Sequence, residues 1–342
     1  MVRRPMVGAD VDPPLTAPPW RGTAGMKQIV LIGVSAGAAA ALLFASIASG
    51  SLFALVLFYL APLPILIAGI GWSHLAGAVA ALFATLCVAI VLESYLVFMF
   101  VVAVALPAWW LGYLVLLARA PDGGPPGQLE WYPAGRIVLW AAASAAVAIA
   151  MAVPFIGGDA ASFHATLKAF LETIEARLTA AGDLGPGKLF ENIDLLVSVM
   201  PALVATLTTA VLLINTCLAA RIVEMSGQLR RPWPPLSMIT FPSTAPVILA
   251  VALAGMFLPG LPSVMSVVAA GALTMAFAVL GFAVLHVLTR NIRGRAMLLT
   301  AVYCAVIFFT WPVLILALLG LADTALDLRG RALRTGNPPT LH

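Results

Sequence analysis

Charge is scarce in this chain. Only 9% of its 342 residues are charged, against about 25% in a typical soluble domain. A water-soluble fold of this length needs a polar exterior, and 62% hydrophobic content leaves too little material to build one. Cysteine is sparser still, with three residues. Cys87, Cys217 and Cys304 all fall inside apolar runs, so no disulfide framework is implied and they read as small apolar fillers. Catalytic signatures are missing too. The chain has no His-Glu-x-x-His, no paired-cysteine metal spacing and no credible catalytic triad, which argues against a zinc protease and leaves catalytic residues, metal and cofactor unassigned.

One motif is a false friend. Gly182-Asp183-Leu184-Gly185-Pro186-Gly187-Lys188 fits the start of a phosphate-binding loop, but Leu189 stands where a magnesium-holding hydroxyl belongs and no strand precedes it. An intrinsic ATPase is not expected, and nothing points to nucleic acid.

Long apolar runs are what the chain does have. Nine occur, at 29–49, 52–71, 75–92, 95–118, 137–156, 193–220, 245–258, 263–288 and 296–322. A helix needs about 20 apolar residues to cross the ~30 Å hydrocarbon core. In lipid every backbone amide must find a partner inside its own segment or in a closed barrel. Barrel strands would alternate over ~10 residues, and these runs are continuous. The expected fold is therefore all-α, a polytopic transmembrane bundle of about nine spans, with 1–25 a disordered tail, 26–328 the membrane domain and 329–342 a C-terminal tail.

Basic residues set the expected orientation. With the N-terminus in the cytoplasm, the inner side holds Arg3, Arg4, Arg21, Lys27, Arg119, Arg136, Arg221, Arg230, Arg231, Arg290, Arg293 and Arg295, which is 12 of the 18 Lys and Arg. That predicts a multi-pass protein of the inner (plasma) membrane. Lys168, Arg177, Lys188, Arg329, Arg331 and Arg334 fall outside. Treating 245–258 as re-entrant gives eight spans, moves the tail inside and leaves the balance unchanged. Nine is the working expectation and eight the alternative.

The turns Gly50-Ser51, Trp72-Ser73-His74 and Glu93-Ser94 are minimal, so the first four spans should be antiparallel neighbours. The loop after Arg119 carries Pro-Asp-Gly-Gly-Pro-Pro-Gly, which is linker chemistry. In the outer insert 157–191, Phe163, Leu167, Phe170, Leu171, Ile174 and Leu178 mark one face of an amphipathic helix. The inner loop 222–244 contains Arg230-Arg231-Pro232-Trp233-Pro234-Pro235. This composition suits the headgroup layer, or docking to another membrane or cytoplasmic subunit. Small residues four apart, Gly33, Gly37 and Ala41, then Gly77 and Ala81, allow close helix approach.

Polar groups near the spans are few, so each is a candidate. Pro62-Leu63-Pro64 breaks the second span, and broken helices near the midplane often line transport sites. The candidate substrate-binding set is Pro62, Pro64, Trp72, His74, Glu93 and Asn215. The bland alternatives are a solvated Glu93 at a turn and an Asn215 that bridges two helices. Near the end, Asp323, Asp327, Arg329 and Arg331 form an expected structural charge cluster. Asp327 and Arg331 stand four apart on a helix continuing to about Ala332.

Two stretches carry a resemblance. They are Tyr59-Leu60-Ala61-Pro62-Leu63-Pro64 leading to Gly69, Gly71, Trp72 and Gly77, and Leu319-Gly320-Leu321-Ala322-Asp323-Thr324-Ala325-Leu326-Asp327-Leu328-Arg329. With them the chain resembles the YybS-like family of predicted bacterial multi-spanning membrane proteins, a domain of unknown function. The family is in turn distantly similar to the substrate-binding S components of energy-coupling-factor vitamin transporters. The family has no settled activity, and it is the broken second span, the outer amphipathic helix and the missing nucleotide motif that point to a small-molecule binding or transport subunit without its own ATPase. The alternative is a scaffold or assembly factor for an envelope complex, for which the shortage of polar groups along the spans speaks.

Overall fold

The computed structural model describes residues 25–121, 128–180 and 192–335. The 1–24 tail, the glycine-rich part of the loop after Arg119 and the loop-like Gly182–Lys188 motif lie outside the described residues. In chain order the helices are α1 (Met26–Ala45), α2 (Leu52–Tyr59), α3 (Pro62–Gly71), α4 (His74–Val91), α5 (Ser94–Phe100) and α6 (Leu106–Leu116). They continue with α7 (Ala134–Ile156), α8 (Ala160–Ala180), α9 (Ile193–Met225), α10 (Thr244–Gly255), α11 (Leu261–Leu288), α12 (Arg295–Phe308), α13 (Trp311–Leu326) and α14 (Leu328–Thr335). Among the described residues, seven helices are long and apolar enough to cross a membrane: α1 with its 3-10 extension, α2 with α3, α4, α5 with α6, α7, α9 and α11.

Local chemistry sets the turns. Gly50 takes a positive φ of 67° to end the first helix, a conformation that costs glycine little. Ser51 and Ser73 then cap α2 and α4, their hydroxyls accepting from the amides of Ala54 and Ala76 at 3.1 and 3.2 Å. Between α5 and α6 the helix widens into a π turn at Val101–Ala105. Pro107 follows, whose ring would press on the carbonyl four residues back in a regular helix.

Glycine brings helices into contact. A Cβ on Gly37 would sit 2.6 Å from the Ala80 carbonyl oxygen, and one on Gly33 2.6 Å from Val79 Cβ, so α1 and α4 pack backbone against backbone. Gly69 of α3 faces Gly77 of α4 and Gly112 of α6. Gly281 of α11 abuts the Leu316 carbonyl of α13, and Gly320 abuts that of Phe277. These two contacts make α11 and α13 antiparallel. One core joins residues of α1, α3, α4, α6, α7, α9 and α11. A second lies between α11, α13 and the segment around Ile239.

At one end of the bundle α8 lies over the ends of α7 and α11, with Phe163 packed on Val153 and Val264. Phe163 and Leu171 of its apolar stripe are buried, whereas Phe170 is turned outward. Lys168 ties the helix to Asp194 of α9 at 2.7 Å.

Several boundaries differ from the sequence expectation. The fourth run stops at Leu116, because Ala118–Arg119 pair antiparallel with Glu130–Trp131. The sixth runs on to Met225. The seventh is a helix of only 12 residues, α10, about 18 Å long. The ninth is two helices, broken where Phe309 turns extended ahead of Trp311-Pro312. Proline is favoured in the first turn of a helix and disfavours helix in the residue before it.

The C-terminal end is also rearranged. The helix does not continue through Asp327, which adopts a left-handed φ of 47° and separates α13 from α14. Asp327 Oδ1 accepts from the Gly330 amide in α14, at 3.2 Å. Arg329 reaches back to Ser237 and Ile239 in the 222–244 loop, at 2.9 and 2.8 Å. Groups bonded at that distance share one face of the bilayer. The nine-span reading puts these two groups on opposite faces, and the eight-span alternative puts them on the same one.

Candidate functional site

The broken second span is where backbone chemistry is least conventional. Pro62 and Pro64 have no amide to donate. Leu60 donates back to Val56 and Leu57, Ala61 to Phe58, and Leu63 takes the shorter path to Leu60 at 3.0 Å. The Tyr59 carbonyl is thereby left without its amide four residues on. A bare carbonyl inside a bilayer costs free energy on the order of a lost hydrogen bond or more.

Asn215 of α9 fills that vacancy. Its Nδ2 donates to Tyr59 O at 2.9 Å and to Val211 O at 2.8 Å. Both partners are carbonyls, so only the donor end of the amide fits there, which fixes its orientation. The other end, Oδ1, is buried and has no partner among the described residues. Asn215 is 2% exposed. Thr209 and Thr216, buried on the same helix, return their hydroxyls to the carbonyls of Ala205 and Leu212. Asn215 thus carries the unanswered acceptor of this stretch.

The six candidate residues divide between three places. Pro62, Pro64 and Asn215 meet at the break. Trp72 and His74 bracket the α3–α4 turn, one short helix of 10 residues away, or about 15 Å. There the Trp72 carbonyl accepts from Arg230 at 3.2 Å and that of His74 from the Trp109 indole at 3.2 Å. The His74 ring stands edge-on to Tyr113 at 5.8 Å. Glu93 is exposed at the far end of α4, an 18-residue helix of about 27 Å. It shares no site with His74.

The charges converge on the 222–244 loop, which sequence patterns do not reveal. Arg230 binds the end of α3 through Trp72. Arg231 binds the end of α6 through Val115 O at 3.4 Å, and its burial pushes the guanidinium pKa down. Arg329 holds the other half of the loop, and Asp323 holds Arg329 in two ways. Asp323 Oδ2 accepts from Nε and NH2 at 2.8 and 2.7 Å, and Oδ1 accepts from the Arg329 amide at 3.0 Å. This pair is nearly buried and spans six residues. The one available signal was the run of basic residues and prolines at 230–235.

Beside the α3–α4 turn stands an aromatic group. Trp110 lies against Tyr113 at 5.6 Å and against Trp140 at 5.2 Å, and the Trp140 indole donates to the Tyr132 hydroxyl at 3.1 Å. A groove of about 440 Å³ opens elsewhere, lined by Met26, Lys27, Val30, Leu31 and Val34 of α1, none of them from the break.

Neither a curated protein nor a solved structure matches this chain. A family described as predicted membrane protein, DUF2232, matches residues 38–324. That stretch takes in the broken second span, Asn215, the arginine-held loop and Asp323. With a match over most of its length, and seven helices among the described residues long and apolar enough to cross a bilayer, the chain belongs to the DUF2232 family of predicted membrane proteins.

Proposed function

We propose that this protein is a membrane-embedded subunit that binds or carries a small molecule, without an ATPase of its own, and that its ligand is met at the α2–α3 break. The observation that carries the reading is Asn215 Oδ1, a buried acceptor with no donor among the described residues, beside a helix whose own hydrogen bonding is interrupted. Intramembrane polar groups are costly, and an unanswered one suits a ligand that brings an N–H or O–H. Pro62 and Pro64 belong to this site in the proposal. Trp72 and His74 would stand toward its mouth, and Glu93 plays no part. The same proposal puts the protein in the inner membrane, with the N-terminus and the 222–244 loop in the cytoplasm.

The test is the melting temperature of the purified protein against a panel of vitamins and small metabolites. A hit should raise it, and Asn215→Ala should abolish the rise. A protein unmoved by every compound would sink the reading.

A second reading has its own observation. Three arginines fix the 222–244 loop to α3, α6 and α14, which makes a rigid surface suited to a scaffold or assembly factor. Under that reading Asn215→Ala leaves function intact, while replacement of residues 226–235 by a flexible linker abolishes it.

A further inference from the structure

We infer that the junction between α11 and α12 binds the headgroup of an anionic phospholipid, with the acyl chains lying along α12. α11 is long enough to cross the membrane, so the turn that follows it lies in the headgroup layer. That turn holds Arg290, Arg293 and Arg295 within six residues. None of the ion pairs among the described residues involves any of the three. Arg290 and Arg293 are exposed. Arg295 is different, because its Nε is buried and has no acceptor among the described residues. A buried guanidinium N–H left unmet is costly, and a phosphate oxygen is the acceptor whose geometry and charge fit it best.

α12 supplies the other half of the argument. It has no buried residue, and Met297, Ile307 and Phe308 are 80%, 76% and 77% exposed. At 14 residues it is about 21 Å long, too short to cross the ~30 Å core alone. It is held to α11 by Tyr303, stacked on Phe282 at 4.9 Å. Cations at one end and an uncovered apolar flank beyond them match a lipid with a negative headgroup and two long chains. A soluble anion would use only the arginines.

The full chain, purified in a neutral detergent, is titrated with phosphatidylglycerol, phosphatidylcholine and inorganic phosphate. Melting temperature and lipid retained in native mass spectrometry are the readouts. Phosphatidylglycerol should raise the melting temperature and stay bound, and the other two should do neither. Arg290→Gln, Arg293→Gln and Arg295→Gln should each weaken phosphatidylglycerol binding by about fivefold; Arg290→Lys and Arg293→Lys should retain most of it, whereas Arg295→Lys, which lacks the Nε–H, should not. Equal retention of the two lipids, or displacement of phosphatidylglycerol by an equal concentration of phosphate, overturns the inference. If the glutamine variants do not fold, the comparison of headgroups on the unmodified chain decides it.

Discussion

Asn215 and Tyr59 stand 156 residues apart in sequence and are joined by one hydrogen bond, from the asparagine amide to the carbonyl that the proline break sets free. Asn215→Leu removes that donor and should cost about 1 kcal/mol, near the middle of the range for buried polar contacts in membranes. Adding Pro62→Ala and Pro64→Ala lets the helix close, so that the Leu63 amide returns to Tyr59. The cost of Asn215→Leu should then fall toward zero. Equal costs in the two backgrounds, measured by reversible unfolding, would show that the break and the asparagine are independent.

Arg329→Gln strands a buried carboxylate and releases two loop carbonyls. The expected loss is about 3–5 kcal/mol, as for other buried pairs broken on one side. Asp323→Asn combined with Arg329→Gln should lose less, because no charge is left alone. Limited proteolysis gives a second readout, since the loop should become cleavable between Gly227 and Phe241 in the single variant.

Gly281→Val should push α13 off α11, because its side chain would enter the Leu316 carbonyl. A loss of about 1–3 kcal/mol is expected from such overpacking. Gly158→Ala, where nothing lies within 4 Å, should be neutral and serves as the control.

Cysteines placed at Ser237 and at the exposed Arg331, with the three native cysteines replaced, should react with an impermeant maleimide from the same side of sealed vesicles. Labelling from opposite sides would contradict the bonds from Arg329 to Ser237 and Ile239.

The small Arg119–Glu130 hairpin gives a pH prediction. The hydrogen bond and charge of Arg119 hold the Glu130 carboxyl below its usual range. Its contribution is present above the ordinary glutamate pKa and is lost as pH falls through the depressed one. Arg119→Gln should move the Glu130 titration, followed by carbon NMR, up toward its ordinary value. The effect on global stability should be slight, because the pair is solvent-exposed.

Much of the helical layout was legible from hydropathy, because a bilayer forces each long apolar run to satisfy its own amides. The break at Pro62 was legible for the same reason, since proline's missing donor is a local fact. The break in the last run had its signal at Trp311-Pro312, which apolar averaging hid. Nothing local marks Asp327 as left-handed. The pairing of Asp323 with Arg329, and of Arg329 with the loop, depends on that one torsion. The arginine caps on Trp72 and Val115 were beyond reach because each joins segments more than 100 residues apart. Asn215 could be singled out as a deep amide, but its partner could be known only once Tyr59 was seen to lack one.

The clamp on the 222–244 loop also imposes an order on biosynthesis. Trp72 and Val115 emerge from the ribosome before Arg230 and Arg231, so those two attachments can form as soon as the loop is made. The third cannot, because Arg329 follows Ile239 by 90 residues. At roughly 5–20 residues per second, that leaves the second half of the loop untied for several seconds. During that interval the carbonyls of Ser237 and Ile239 are free for whatever meets a nascent membrane protein first, and arrival of the α13–α14 corner ends it.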